Sequence, residues 1–283
     1  MKLIECPRDA IQGLEGFVPT HLKTGYINKL LKVGFDTIDF GSFVSPKAIP
    51  QLKDTAEVLN GLDLSDTRSK LLAIVANLRG AQDAAVFQEI DYLGFPLSLS
   101  ETFQQKNTNK SIAEAFDALR NIQEVCIKSG KTLVTYISMG FGNPFGDPYE
   151  MAYVSEFVEK LKQMEVTIVS LADTVGVSNP QNIQLLFKTI TQQFPQIEFG
   201  VHLHSDLDSS IEKIDAAYKS GCRRFDGAIN GFGGCPMAED KLVGNIATEK
   251  IIQYLEGFDH QLGIDFKALD EAMNFAPQIF FRK

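Results

Sequence analysis

Eight short apolar or β-branched runs, each followed by an amphipathic stretch, repeat from one end of this 283-residue chain to the other. Strands are expected at 3–6, 36–41, 70–75, 90–93, 131–138, 166–172, 198–204 and 224–229. Helices are expected between them at 21–33, 52–60, 80–88, 112–129, 149–163, 180–193 and 207–220, with another near 247–256. Boundary residues support the pattern. Asn179-Pro180 puts a capping side chain ahead of a proline suited to the first helical turn. Ser129-Gly130 and Ser220-Gly221 read as helix ends, with glycine free to take a left-handed conformation. Strands that alternate with helices build parallel sheets, and eight such units fit a (β/α)8 barrel. An open, doubly wound sheet is the alternative, weakened by the lack of a GxGxxG turn after the first strand. No linker or low-complexity tract divides the chain. We expect one catalytic domain over 1–283, with the barrel at about 1–256 and a C-terminal extension at 257–283.

Composition narrows the classes of function. A net charge of −9 argues against a nucleic-acid or anionic-membrane binder. The uncharged stretch 132–146 is too short to span a bilayer and is broken by glycine and proline. With a strand expected from residue 3, no secretory leader is expected ahead of it. Cys6, Cys126, Cys222 and Cys235 show no paired spacing, which suggests free thiols in a reducing cytoplasm.

The chemistry gathers where strands end. In a strand, residues i and i+2 face the same way, so His202 and His204 converge at the carboxyl end of the seventh run. Such a pair fits either the beginning of a metal site or two hydrogen-bonded core histidines. In a barrel, catalytic groups come from the carboxyl ends of several strands. The ends here carry Arg8, Asp9 and Gln12, then Asp39 and Ser42, Asn77, Ser98 to Glu101, Ser138, Asp173-Thr174, the two histidines, and Asn230. Surface loops are polar anyway, but Arg-Asp and Asp-Thr directly after apolar runs favour a site. One carboxylate, two imidazoles and the Asn245 carbonyl form a mixed oxygen and nitrogen donor set. That set suits Mg²⁺ or Mn²⁺ better than structural Zn²⁺, with Zn²⁺ and Fe²⁺ as alternatives. The loop Gly231-Phe232-Gly233-Gly234-Cys235-Pro236 has glycines that let backbone approach a ligand closely. Its Cys235 reads as an acid, base or nucleophile, or as an incidental thiol in a flexible loop.

Taken together, these pieces resemble the 3-hydroxy-3-methylglutaryl-CoA lyase family of metal-dependent TIM-barrel lyases. The matching segments are Pro7 to Gln12, Gly41-Ser-Phe-Val-Ser-Pro-Lys47, Lys106-Asn107, Leu171-Ala-Asp173-Thr-Val-Gly176, His202-Leu-His204, Gly231 to Pro236, and Gly244-Asn245 to Glu249. The resemblance implies that Asp9, His202, His204 and Asn245 ligate a divalent ion. It gives Arg8 the enolate oxygen formed on carbon–carbon cleavage, and gives Cys235 the proton delivered to that enolate. Gln12, Asp39 and Asp173 would line the site, and Lys106 and Asn107 would receive the CoA thioester. A small acyl-CoA substrate, cleaved to acetoacetate and acetyl-CoA, and often a homodimer are implied as well. Related barrels acting as aldolases or acyltransferases on 2-oxo acids lack the glycine–cysteine loop. A catalytically silent barrel would be expected to have lost ligands.

The chain departs from that family in four places. Asp39 stands where these lyases carry Glu. Glu15 stands where animal lyases have a Lys directed at the CoA nucleotide, and Phe281 stands where an Asn contributes to the same moiety. One extra residue lies between Cys235 and Asn245, around Glu239 to Leu242. An altered acyl carrier or substrate is therefore an expectation.

Overall fold

A computed structural model describes residues 1–206, 209–234, 243–258 and 261–281. Eight parallel strands close on themselves: β1 (Lys2–Glu5), β2 (Thr37–Ser42), β3 (Lys70–Ile74), β4 (Ile90–Ser98), β5 (Thr132–Ser138), β6 (Ile168–Asp173), β7 (Glu198–Ser205) and β8 (Arg224–Gly227). Each pairs with the next, and β8 returns to β1 with Leu3 opposite Phe225 and Ile4 opposite Asp226. This closure makes the sheet a barrel and rules out the open, doubly wound alternative. The strands are buried on both faces, which is why β6 reads Ile-Val-Ser-Leu-Ala-Asp with every residue buried.

The surrounding helices are α1 (Pro7–Gln12), α2 (Thr20–Leu30), α3 (Thr55–Asn60), α4 (Leu78–Ala85), α5 (Glu101–Thr108), α6 (Ile112–Ser129), α7 (Met151–Gln163), α8 (Pro180–Gln193), α9 (Ser210–Lys219) and α10 (Thr248–Glu256). Their ends follow the chemistry read from the sequence. Asn179 caps α8 through Asn182 N, and Gly130 closes α6 at φ 69°. Apolar faces pack on the barrel, each fully buried large side chain contributing about 1.5–3 kcal/mol. Phe35, Phe95, Phe187 and Phe225 are among the largest of these.

Two features differ from expectation. The fourth strand runs to Ser98, not 93, because Gly94 and Pro96 do not stop it. The ladder to β5 continues through Pro96 opposite Tyr136 and Ser98 opposite Ser138. Gly94 is there for space, since a Cβ would come 2.5 Å from Ile74 Cδ1. Second, Arg8, Asp9 and Gln12 lie on a helix, α1, with Pro7 at its first position, and α5 carries Lys106 and Asn107. The C-terminal extension expected at 257–283 is present and folds back on the barrel as α11 (Phe266–Phe275) and α12 (Pro277–Phe280). Phe275 stacks on Tyr26 of α2 at 6.3 Å, and Phe280 meets the same ring edge-on at 6.0 Å.

A ninth, two-residue strand positions the site. β9 (Gly244–Asn245) runs antiparallel to the end of β7 and sets Asn245 opposite His204.

Candidate metal centre and active site

The site is assembled from α1 upward. Arg8 forks onto Asp39 within β2, with Nη2 2.5 Å and Nε 3.0 Å from Oδ2. Its Nη1 donates to Gln12 Oε1 at 3.0 Å and Asp9 Oδ1 at 3.2 Å, and Gln12 Nε2 donates to the same Asp9 oxygen at 2.8 Å. These contacts follow from helical spacing, since Gln12 stands one turn beyond Arg8 and Asp9. They leave Asp9 Oδ2 turned the other way, where it accepts from Asn245 Nδ2 at 2.7 Å and lies 4.0 Å from His202 Nε2.

Ligand atoms of Asp9, His202 and His204 all fall within 4.8 Å of one another, and all three residues are buried. Among the described residues neither ring nitrogen of His204 has a hydrogen-bond partner. Asn245 spends its amide nitrogen on Asp9 and on Phe232 O, which makes the oxygen its remaining ligand atom. Buried imidazole nitrogens without partners are costly unless something else satisfies them, and this donor set fits a divalent ion.

Electrostatics reinforce that reading. Burial pushes the Asp9 carboxyl up, but Arg8 and then His202, His204 and Asn245 hold it at about 2. Burial, with His202 alongside, lowers His204 to about 4, so its ring is neutral and available as a ligand at neutral pH. For His202, burial works against the charged ring, yet Asp226 and Asp9 outweigh it and leave the pKa raised. Burial lifts Asp39 to about 6 against the pull of Arg8, while burial against the Arg8 guanidinium is overcome by Asp39 and Asp9. Three hydrogen bonds donated by Arg8 hold Asp39 as a carboxylate at neutral pH.

A cavity of about 150 Å³ opens over these groups. Arg8, Asp9, His202, His204 and Asn107 line it together with the apolar Val44, Ile74 and Phe103. The structure thus brings Arg8, Asp9, Gln12, His202, His204, Asn245 and Asn107 together. The carboxylates of Asp39 and Asp173 are engaged elsewhere. Asp39 braces Arg8. Asp173 accepts from Val177 N, Ser178 N and Ser178 Oγ in its own loop and from Lys213 Nζ at 3.2 Å. Lys106 lies with its ammonium 4.5 Å from the Phe145 ring. Cys235 and the segment around Glu239 to Leu242 lie outside the described residues. Glu15 is exposed on the loop after α1. Phe281, also exposed, packs edge-on against Phe232 at 5.5 Å and lines a second cavity of about 770 Å³ with Leu14, Lys250 and Phe280.

Sequence reasoning missed two groups next to the ligands. Lys213 Nζ donates to His204 O at 2.9 Å, and Asp226 Oδ2 lies 3.4 Å from His202 Nδ1. The signal for Asp226 was present in Arg224-Phe225-Asp226, where charges at i and i+2 of a buried strand must share an interior face.

A closed (β/α)8 barrel with a carboxylate, two imidazoles and an amide at the carboxyl ends of its strands defines a barrel enzyme with a candidate metal centre. Residues 3–276 match the HMGL-like family model. The chain is 32% identical over 272 residues to the hydroxymethylglutaryl-CoA lyase YngG of Bacillus subtilis, covering 96% of this chain and 90% of that protein. The crystal structure of the Bacillus subtilis HMG-CoA lyase superposes with a TM-score of 0.93 at 30% identity, covering 99% of this chain and 94% of that one. An HMG-CoA lyase from Acinetobacter baumannii, in complex with coenzyme A and 3-methylmalate, superposes with a TM-score of 0.91 at 31% identity, covering 100% of this chain and 92% of that one. This chain belongs to the HMGL-like family.

Proposed function

We propose that the protein is a divalent-metal-dependent carbon–carbon lyase that cleaves 3-hydroxy-3-methylglutaryl-CoA, or a close 3-hydroxyacyl thioester, to acetoacetate and acetyl-CoA. The observation that carries this reading is the convergence of Asp9, His202 and His204 beside the Arg8 fork. Asp9, His202, His204 and the Asn245 oxygen would hold Mg²⁺ or Mn²⁺. When bound, that ion supplies Lewis acidity that lowers the pKa of the substrate's tertiary hydroxyl.

The chain's own groups account for the rest. Once a general base has taken the hydroxyl proton, the oxygen's electron pair forms the ketone as the C2–C3 bond breaks. The bonding pair passes to the thioester as an enolate. Arg8 is held rigidly by Asp39, Gln12 and Asp9, so its positive charge is already in place where the enolate oxygen develops, a contribution typically worth about 10²–10³ in rate per donor. Cys235 would return a proton to the enolate carbon. Asn107, in the cavity wall, and Lys106, next to it on α5, would meet the thioester and its carrier. Asp39 and Asp173 would act by bracing Arg8 and the loop after β6.

No helix among the described residues is long and apolar enough to cross a membrane. Cys6, Cys126 and Cys222 are buried free thiols, in keeping with a cytoplasmic site of action.

The test is an assay of 3-hydroxy-3-methylglutaryl-CoA cleavage with Mg²⁺, with and without chelator, repeated on His204→Ala and Cys235→Ser. We expect cleavage to be lost in EDTA, restored by Mg²⁺ or Mn²⁺, and reduced at least ~100-fold in both variants. Activity that survives both EDTA and His204→Ala rejects the metal role. Weak activity of the intact enzyme on this thioester, with faster cleavage of another 3-hydroxyacyl thioester, is the outcome expected if Glu15 and Phe281 shift specificity.

A further inference from the structure

Beneath the candidate metal ligands the barrel interior is charged. Strand alternation puts Arg224 and Asp226 of β8 on one face, and the register sets Asp226 opposite His202. Asp226 is 3% exposed and Arg224 is fully buried. Among the described residues neither Asp226 oxygen has a hydrogen-bond partner. His202 Nδ1 lies 3.4 Å from Oδ2. The Cys6 thiol closes the same corner, with Cys6, His202 and Asp226 offering ligand-type atoms within 4.8 Å of one another. The other nitrogen of the ring, Nε2, faces Asp9.

Room for the charge pair is built in. The Arg224 stem lies over Gly200 of β7, where a Cβ would come 2.9 Å from Arg224 Cδ and Cγ. Its guanidinium reaches towards Glu198, with Nη1 3.5 Å from Oε1. A buried carboxylate is costly without an opposite charge nearby. Arg224, two residues away on the same face, offsets part of that cost.

We propose that Asp226 is a positioning residue: it holds His202 with Nδ1–H towards itself and the bare Nε2 towards Asp9, with Arg224 seated over Gly200 as its counter-charge. A carboxylate behind a ligating histidine fixes both tautomer and ring orientation, and losing it typically weakens metal binding 10–100-fold. The inference rests on the metal site proposed above and adds a residue that never touches the ion.

The test uses the full-length protein and reads Mn²⁺ binding by calorimetry, together with imidazole ¹⁵N spectra of the metal-free protein. Four histidines in the chain keep those spectra assignable. At alkaline pH, where the His202 ring is neutral, the intact protein is expected to show a protonated Nδ1 and an unprotonated Nε2. Asp226→Ala should lose that preference and raise the Mn²⁺ Kd about 10–100-fold. Asp226→Asn keeps an acceptor oxygen and should recover the tautomer, with a Kd between the two. Wild-type Mn²⁺ affinity in Asp226→Ala, or an unchanged His202 tautomer, overturns the proposal. If the alanine variant does not fold, Asp226→Asn carries the test, and a Kd equal to wild type overturns it. Because turnover is not read, a failure of the proposed lyase activity remains separate from a failure here. Intact protein that does not bind Mn²⁺ would overturn the metal site and this inference together.

Discussion

Asn245 and Asp9, 236 positions apart in the chain, are joined by a 2.7 Å hydrogen bond from Nδ2 to Oδ2. The bond ties β9, laid against the end of β7, to α1 at the start of the barrel. It orients two candidate ligands at once, since Asp9 keeps Oδ2 towards His202 while Asn245 is left with its oxygen.

That junction depends on Gly233. Its φ is +92°, and a Cβ there would lie 2.8 Å from both Ala10 Cα and Asn245 Nδ2. Gly233→Ala should therefore press α1 and β9 apart, on top of a left-handed backbone cost of about 1–2 kcal/mol. We expect a Mn²⁺ Kd raised at least ~10-fold in a protein that still folds, measured by calorimetry and circular dichroism. Unaltered metal affinity would show that the loop does not hold the ligands.

Arg8 has two duties that two variants separate. Arg8→Met removes the charge at the developing enolate, for an expected kcat loss of ~10²–10³. It also strands the buried Asp39 carboxylate, for about 3–5 kcal/mol of stability. Adding Asp39→Asn to Arg8→Met relieves the second loss but not the first. Thermal melts and kcat for the single and double variants check this, and a double variant with restored kcat would contradict the role given to Arg8.

Lys213 joins the loop after β6 to the end of β7 through Asp173 Oδ2, Gly176 O and His204 O. Lys213→Met should leave the Asp173 charge without its buried cation, costing about 3–5 kcal/mol. Chemical denaturation of the metal-free protein measures it, and a loss below ~1 kcal/mol would mean that the pair is not structural.

Glu5 makes stability depend on pH away from the metal ligands. Burial lifts its carboxyl from the usual 4.5 to about 8, against hydrogen bonds from Thr248 Oγ1 and Ile229 N. Between about pH 4.5 and 8 the folded chain keeps this proton and the unfolded chain does not. Unfolding therefore releases a proton, and stability falls as pH rises through that window, by up to about 1.4 kcal/mol per pH unit, then levels off. Glu5→Gln, which can still bond Thr248 and Ile229, should flatten this slope and melt higher than wild type at pH 8.5. A wild-type melting temperature that rises between pH 5 and 8 alongside a falling Glu5→Gln curve would contradict it.

Much of the architecture is legible in residue order. Alternating strands and helices, and caps such as Asn179 and Gly130, are local properties of neighbouring residues, so a reader of the sequence recovers them. The end of β4 was not legible. Gly94 and Pro96 look like a stop, but the glycine answers to Ile74 on the neighbouring strand, which no local window contains. The two-residue strand β9 escaped for a related reason, since so short a segment takes its form from β7.

The same division runs through the site. By itself the sequence determined that His202 and His204 stand at the end of a strand and that Arg8 and Asp9 follow the first one, because strand alternation and order along the chain are enough to say so; that Arg8 and Asp9 open a helix was not legible. Only the tertiary structure decided where each carboxylate is spent. Asp39 went to Arg8, Asp173 to its own loop and Lys213, Asp9 to Asn245, and Asp226 to a place behind His202. The direction of a side chain at a strand end is set by barrel closure and by the partners available within hydrogen-bond reach, and those partners come from segments up to 236 residues away.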